Sequence, residues 1–150
     1  MTFPDELDGL PYGTGNRKGP GKTLDDDNTV WDITTRDQFE PQSLAEWECR
    51  GPLAPHADDT DMWYKVVSGS LVVIVEPGIV FTLGPGQDAM IPAGRWTCSV
   101  PDRRHLPVQS VILNQPAFNP GTIVVLDPSD ERYVSAYWEY ATQKGRFGWD

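Results

Sequence analysis

The stretch that decides the fold runs from Met62 to Val100 and reads MWYKVVSGSLVVIVEPGIVFTLGPGQDAMIPAGRWTCSV. Short runs of apolar and aromatic residues alternate there with breaks such as Ser68-Gly69-Ser70, Pro77-Gly78 and Gly84-Pro85-Gly86. Runs of this kind favour β-strands, and breaks containing Gly and Pro favour tight turns. Short strands joined by such regular turns predict an all-β fold, an antiparallel sandwich or barrel.

The flanking sequence extends this pattern on both sides. Further strands are predicted at Val30–Ile33 on a sheet edge, at Ser43–Arg50, at Leu106–Leu113 and, as a short buried strand, at Thr122–Leu126. Ser129, followed by two acids, is a helix cap, and the helix after it carries Tyr133, Ala136, Tyr137 and Tyr140 at helical spacing up to Gly145. This stripe is expected to pack on the barrel or on a dimer partner.

Three parts of the chain differ in composition. Residues 1–28 are rich in Gly, Pro and charge without periodicity, which predicts an N-terminal arm that is disordered alone or drapes over the barrel or a neighbouring subunit. Residues 29–127 form the predicted barrel, and residues 128–150 form a short C-terminal helix and tail. One domain suits a chain of 150 residues.

Composition excludes several classes of partner. A net charge of −10 argues against nucleic acid and against anionic membranes, since both require a basic patch. The polar, acidic start MTFPDELDGL does not fit a signal peptide, and no run reaches the length of a membrane span, so a cytoplasmic protein is expected. Cys49 and Cys98 both lie in predicted strands and are interpreted as buried free thiols.

Three motifs resemble those of the cupin superfamily. Gly86, Pro92 and Gly94 have the spacing G-x5-P-x-G of its second motif, and Gly69 in YKVVSG resembles the end of its first. The segment ILNQPAFNPG, residues 112–121, is similar to the exit from the cupin barrel. The resemblance covers residues 44–127. It implies a double-stranded β-helix (jelly-roll) barrel around a small-molecule pocket, and it favours a homodimer.

The metal-binding positions of that family are changed here. The resemblance places Met62 where the family has its ligand Glu and Thr97 where it has a ligand His, so that His56 is the one imidazole left. A barrel without a cofactor is therefore expected. If a metal is present, Fe, Mn, Zn or Ni would use His56, Asp58 and Asp61, with His105 as a further candidate.

The candidate catalytic residues come from one loop and the strand after it. Gly51–Asp61 reads GPLAPHADDTD and is interpreted as a loop. It has two readings, a solvated acidic loop or an acid/base set, and the resemblance implies the second because the family places its chemistry there. The candidate catalytic residues are His56, Asp58, Asp61 and Tyr64.

The candidate substrate-binding residues come from strand alternation. Met62 shares the inward face with Tyr64, and the same argument turns Arg95, Thr97 and Ser99 inward, with Trp63 and Trp96 packing outward. Glu46 and Glu48 share a charged strand face that either meets solvent or points into the barrel mouth. Gln109 lies on the same side of its strand as Val111. The full set is Met62, Arg95, Thr97, Ser99, Gln109, Glu46 and Glu48.

Three functions are compatible with these observations. The first is a metal-independent enzyme that performs isomerase, cyclase or lyase chemistry by acid/base catalysis on a small organic molecule in an apolar pocket. The second is a metal-dependent cupin, a dioxygenase or lyase, with an atypical set of His and Asp ligands. The third is a non-catalytic barrel that binds a ligand or serves oligomerisation.

Overall fold

A computed structural model describes residues 17–33, 43–115 and 123–149 of the chain. The described residues form antiparallel strands and one C-terminal α-helix, which confirms the predicted all-β class. The strands are β1 (Lys18–Asp25), β2 (Asn28–Asp32), β3 (Ser43–Cys49), β4 (Leu53–Ala57), β5 (Asp61–Ser68), β6 (Leu71–Val75), β7 (Ile79–Leu83), β8 (Asp88–Ile91), β9 (Trp96–Pro101), β10 (Val108–Gln115) and β11 (Val124–Val125).

The strands form two sheets that face each other. The first sheet has the order β1-β2-β3-β10-β5-β8, and the second has the order β11-β4-β9-β6-β7. Strands distant in sequence are neighbours in both sheets, as in the pairing of β10 with β3 and β5. This crossing of connections between two antiparallel sheets is the jelly-roll arrangement.

Side-chain alternation divides the protein into an inner and two outer layers. Tyr64 and Val66 of β5 face Trp47 and Val73 in one interior cluster between the sheets. Trp63, the residue before Tyr64, packs instead on the outer face of the first sheet. The assignment of Met62 and Tyr64 to one face and Trp63 to the other is therefore correct.

The C-terminal helix covers the outer face of the second sheet. A 3₁₀ turn at Glu131–Tyr133 leads into the α-helix α1 (Val134–Arg146). The predicted stripe of Tyr133, Ala136, Tyr137 and Tyr140 packs here against Trp96 and its neighbours, so the stripe contacts the barrel as expected, and Trp96 faces outward. The cap differs from the prediction: the Asp130 side chain, and not Ser129, accepts a hydrogen bond from a backbone N–H of the first turn.

The structure differs from the local predictions at four places. Residues 18–25, part of the predicted arm that is disordered alone or drapes over the barrel or a neighbouring subunit, form the edge strand β1, which pairs with β2. The strand predicted on a sheet edge at Val30–Ile33 therefore lies inside the sheet, as β2 between β1 and β3. The predicted loop Gly51–Asp61 contains strand β4, which pairs with β9. The strand expected to be buried at Thr122–Leu126 is the short edge strand β11, whose Val124 and Val125 are 60% and 70% exposed, although Leu126 is buried.

Candidate functional site

A small cavity lies inside the barrel at one end of the interior cluster. We call it the chamber; its volume is about 40 Å³. Its walls combine a large apolar surface with a few polar groups, and both sheets contribute to them. The lining residues are Leu24, Val30, Ala45, Trp47, Leu53, His56, Asp58, Met62, Tyr64, Ile112, Asn114 and Ile123.

A larger concavity of about 200 Å³ adjoins the chamber. We call it the entrance; it is lined by Leu24, Asp25, Leu53, Ala54, His56, Ile123 and Val125. β1 and β11 are edge strands of different sheets, and both contribute to the entrance. The chamber and the entrance therefore meet near these two strands, and His56 lines both spaces.

The backbone of β4 fixes the position of His56. His56 lies opposite Thr97 of β9 and Val125 of β11 in the two antiparallel pairings, and residues directly opposite each other share a sheet face. Thr97 in turn lies opposite Val75, a member of the interior cluster. The His56 ring therefore belongs to the inner face of the second sheet, where it is 8% exposed.

One hydrogen bond shows that Nδ1 of the His56 ring carries a proton. Nδ1 lies 2.8 Å from the carbonyl oxygen of Ala54, and because a carbonyl oxygen can only accept, Nδ1 carries the proton. Burial lowers the pKa of His56 below 6.5, while the bond to Ala54 acts in the opposite direction. The ring is therefore neutral near pH 7, and its Nε2 carries a lone pair that can accept a proton.

Two further candidate catalytic residues line the chamber with His56. Asp58 is 4% exposed, and its carbonyl oxygen accepts a hydrogen bond from the backbone N–H of Gly94 at 2.7 Å. Tyr64 is fully enclosed, and its hydroxyl lies 3.6 Å from the Met62 sulfur. Burial, followed by the negative charge of Asp58, raises the pKa of Tyr64, so that it remains a phenol that can donate a hydrogen bond.

Asp61, the fourth candidate, does not line the chamber. It is the first residue of β5, and its carboxylate accepts a hydrogen bond from the backbone N–H of Ala93 at 2.8 Å. This bond ties β5 to the turn between β8 and β9. Its neighbour Met62 points inward, so alternation turns Asp61 away from the interior. The structure assigns Asp61 to the stability of that turn.

The seven candidate binding residues divide into two groups. Met62 lines the chamber, and Thr97 and Ser99 lie on the inner face of β9, opposite Val75 and Val73 of the interior cluster. Thr97 donates a hydrogen bond to the Ile74 carbonyl at 2.8 Å, whereas the buried Ser99 hydroxyl has no partner among the described residues. The inward alternation predicted for β9 is thus correct at Thr97 and Ser99.

The other four candidates lie away from the chamber. Glu46 and Glu48 alternate with the inward Ala45 and Trp47, which places both acids on the outer face of the first sheet. Glu46 is fully buried there against Arg17, with Nε and Oε1 2.8 Å apart.

Gln109 and Arg95 complete this second group. Gln109 lies opposite Glu48 on the outer face and accepts a hydrogen bond from Ser68 at 2.8 Å. Arg95 precedes the first residue of β9 and is exposed. The assignments of Glu46, Glu48, Gln109 and Arg95 to a pocket inside the barrel are therefore corrected. Alternation shows which residues share a face, and only the position of the strand in the barrel decides which face is inside.

The described residues around the chamber do not fit a metal centre. Two of the family's ligand positions are changed. The Met62 thioether accepts a hydrogen bond from the Tyr64 hydroxyl, and the Thr97 hydroxyl donates one to the carbonyl oxygen of Ile74. Divalent transition metals favour imidazole with carboxylate, which leaves His56 and Asp58. His105 lies in an exposed 3₁₀ turn beside Gly69 and Pro107, not at the chamber. Within residues 17–33, 43–115 and 123–149, no three His, Cys, Asp or Glu side chains converge on a point that would hold an ion.

Several lining residues were not identified from the sequence. Trp47 packs its ring on Tyr64 at 5.5 Å between centroids and donates to Asn28 at 3.0 Å. Asn114 enters from β10 and donates to Thr60 at 2.8 Å. Trp47 alternates with Ala45 and Cys49 along β3, and this pattern could have identified it as an inward residue. Leu24 and Ile123 gave no such signal, because they reach the cavity only through the pairing of edge strands.

This chain is similar to known proteins in its fold and not in its sequence. No known family and no curated protein matches the sequence. The polyketide cyclase RemF from Streptomyces resistomycificus superposes with a TM-score of 0.65 at 18% identity, over 89% of this chain and 96% of the cyclase. A Streptomyces Pac13 variant solved with uridine has a TM-score of 0.61 at 13% identity, over 78% of this chain and 90% of its own.

A third similar structure is KdgF from Halomonas sp., with a TM-score of 0.53 at 18% identity, over 65% of this chain and 88% of KdgF. These neighbours are cupin-like proteins, so this chain has a cupin-like barrel, as its motifs suggested. At identities this low the likeness establishes the fold alone. No helix among the described residues is long and apolar enough to cross a membrane.

Proposed function

We propose that this protein is a metal-independent enzyme that uses His56 to move a proton on a small organic molecule bound at the chamber and entrance. The reaction belongs to the isomerase, cyclase or lyase type. The observation that carries the proposal is the state of His56, a buried neutral ring with Nδ1 occupied by Ala54 and Nε2 available as a base. Hydrogen bonding at the second nitrogen is the usual way in which a general base is held in its working tautomer.

The neighbouring side chains suit the remaining steps. When Nε2 takes a proton from the substrate, an imidazolium forms in an apolar site, and the carboxylate of Asp58 in the same chamber is suited to stabilise it. Tyr64, held as a phenol, is suited to donate a hydrogen bond to the substrate oxygen on which negative charge develops. The proton on Nε2 then returns to the substrate at a different atom or to the leaving group, which leaves His56 neutral for the next turnover.

The structural neighbours support this class of chemistry without identifying the reaction. One is named a polyketide cyclase, and Pac13 is described as a nucleoside dehydratase. A cyclase closes a ring in a small organic molecule, and a dehydratase eliminates water from one. Because a fold hosts many reactions, the residues of the chamber carry the proposal, and the neighbours only make it consistent.

A second candidate is a non-catalytic binding barrel, and the size of the chamber favours it. At about 40 Å³ the chamber admits only a small group, so that most of any ligand must lie in the entrance. A barrel that lost its metal ligands and kept a small hollow would have this geometry. Both an enzyme and a binding barrel would bind the small molecule, but only the enzyme would convert it.

Turnover in matched histidine variants tests the proposal. The wild-type chain is incubated with uridine and with a panel of small carbonyl and hydroxyl compounds that includes largely apolar ones, and isomerised or dehydrated products are followed by chromatography and mass spectrometry. At least one compound should be converted, and His56→Gln should lower that rate about 10²- to 10⁴-fold, the usual contribution of a general base. His105→Gln is the control because it alters the chain's other imidazole, which lies away from the chamber. Undiminished turnover in His56→Gln overturns the proposal, and binding without conversion favours the second candidate.

A further inference from the structure

We propose that the substrate is neutral and largely apolar, and that the site discriminates against anions. This inference rests on the proposed function for its location, because it concerns the same chamber and entrance. It adds the class of molecule that these two spaces accept. It also predicts the orientation, with a polar reacting group in the chamber and an apolar body in the entrance.

The shape of the site sets this orientation. The chamber, of about 40 Å³, contains the polar groups His56, Asp58, Tyr64 and Asn114. The entrance, of about 200 Å³, is several times larger and takes most of its walls from apolar side chains, Leu24, Leu53, Ile123 and Val125. A ligand gains free energy in proportion to the apolar surface that it buries. The body of the substrate therefore belongs in the entrance, and only a carbonyl or hydroxyl group reaches His56.

The charges around the site set its preference for neutral molecules. The ionisable groups that line the two spaces are Asp25, Asp58, His56 and Tyr64, and burial keeps His56 neutral and Tyr64 protonated. Among the described residues, no Lys or Arg side chain lines either space. A carboxylate or phosphate would thus lose its hydration without gaining a cation from the described walls, beside two acids and in a chain of net charge −10.

Three of the chain's twelve Lys and Arg residues line a different part of the surface. Arg103, Arg104 and Arg146 surround a separate surface concavity where the end of α1 meets the turn after β9. Asp102 lines the same concavity and pairs with Arg104, which leaves Arg103 and Arg146 to attract an anion, and neither of them lines the entrance. The separation of charge strengthens the preference of the entrance for neutral ligands.

A matched pair of probes tests the inference. Methyl 2-naphthoate and 2-naphthoate share one aromatic body and differ in charge, and their dissociation constants can be measured from the quenching of tryptophan fluorescence, since Trp47 lines the chamber. The ester should bind at least about tenfold more tightly than the carboxylate, a difference of about 1.4 kcal/mol. Equal affinity, tighter binding of the carboxylate, or no binding of the ester overturns the inference.

Surface variants locate the binding and separate this inference from the proposed function. Val125→Asp adds a charge to the entrance at a side chain that is 70% exposed, so the fold should tolerate it, and ester binding should weaken about tenfold or more. Val134→Asp, at a comparably exposed position on α1, is the control and should leave binding unchanged. His56→Gln should keep the preference for the ester, so a failure of catalysis would leave this inference standing. Loss of binding in both Asp variants would place the probe elsewhere and overturn it.

Discussion

The chamber and the turn after β9 contain the same types of residue in opposite settings. In the chamber, Trp47 and His56 are almost fully enclosed between the sheets. In the 3₁₀ turn at Arg103–His105, His105 is exposed, the carboxylate of Asp102 pairs with Arg104 at 2.9 Å, and Trp149 folds back from the tail to donate to Pro101 at 2.8 Å. Each region thus combines indole, imidazole and carboxylate groups.

The difference shows that the surroundings of an ionisable group, burial in the chamber and a paired arginine in the turn, set the direction in which its pKa shifts. In the chamber, loss of hydration lowers the pKa of His56 and keeps a base neutral. In the turn, hydrogen bonds from Arg104 lower the pKa of Asp102 and keep its carboxylate charged. The first setting prepares a group to exchange a proton, and the second holds a group in one state. We therefore expect substitutions in the chamber to affect stability and chemistry, and substitutions in the turn to affect stability alone.

The largest contrast is expected between two tryptophans. Trp47→Ala should lower the free energy of unfolding by about 3–5 kcal/mol, because it empties a buried site and breaks the bond to Asn28. Trp149→Ala should cost about 1–2 kcal/mol, since it removes one hydrogen bond and a contact with Arg103 from a half-buried position. Urea unfolding of both variants measures the difference. Equal losses would contradict the view that the interior cluster carries more of the stability than the turn.

A smaller contrast is expected between two tyrosine hydroxyls. Tyr64→Phe removes a hydroxyl whose acceptor is the weak thioether of Met62, so stability should change by less than about 1 kcal/mol, whereas turnover should fall about tenfold or more. Tyr137→Phe is the inverse control, because its hydroxyl donates to the Leu126 carbonyl at 2.6 Å on the outer face. It should cost about 1 kcal/mol of stability and leave turnover unchanged. Full activity in Tyr64→Phe would remove this phenol from the proposed mechanism.

The sequence was most informative where strands are long and regularly alternating. The inner positions of β5 and β9 follow from their alternation, and the aromatic stripe of α1 follows from its helical spacing. Glu46 shows where this reasoning stops. The sequence correctly predicted that Glu46 and Glu48 share one face of β3. Whether that face meets solvent or the barrel mouth depends on the position of β3 between β2 and β10. Glu46 is in neither of those settings, since it is buried on the outer face against Arg17.

The site itself depended on elements with weak local signals. β1 contains two glycines and a proline, and β4 contains Pro55, so neither has the composition of a strand. Both are strands because partners in the sheet satisfy their backbone groups, which no local pattern reveals. The entrance lies between β1 and β11, and its position was therefore beyond reach of the sequence, although His56, Asp58, Met62 and Tyr64 were identified as candidates.

The smallest expected effect is a dependence of stability on pH that distinguishes the two histidines. The folded chain lowers the pKa of His56 from 6.5, so below about pH 6.5 the unfolded chain binds a proton that the folded chain resists. The contribution of neutral His56 to stability is therefore present above that pH and lost as the pH falls below it. Asp102, Asp127 and Asp130 have lowered pKa values, and their contributions are lost only below about pH 3.8, so they act in a separate range.

Urea unfolding between about pH 7.5 and about pH 5 measures this effect. The wild-type chain should lose stability toward the acidic end, and His56→Gln should show a flatter profile, because glutamine binds no proton. His105→Gln is the matched control, because it makes the same replacement at an exposed imidazole in the turn. His56 should still be in its base form at pH 6.5, because its pKa is lowered. The pH profile of the proposed reaction should therefore have its acidic limb below pH 6.5. A slope that survives in His56→Gln would mean that His56 is not held neutral by burial, and the distinction between the chamber and the turn would lose its physical basis.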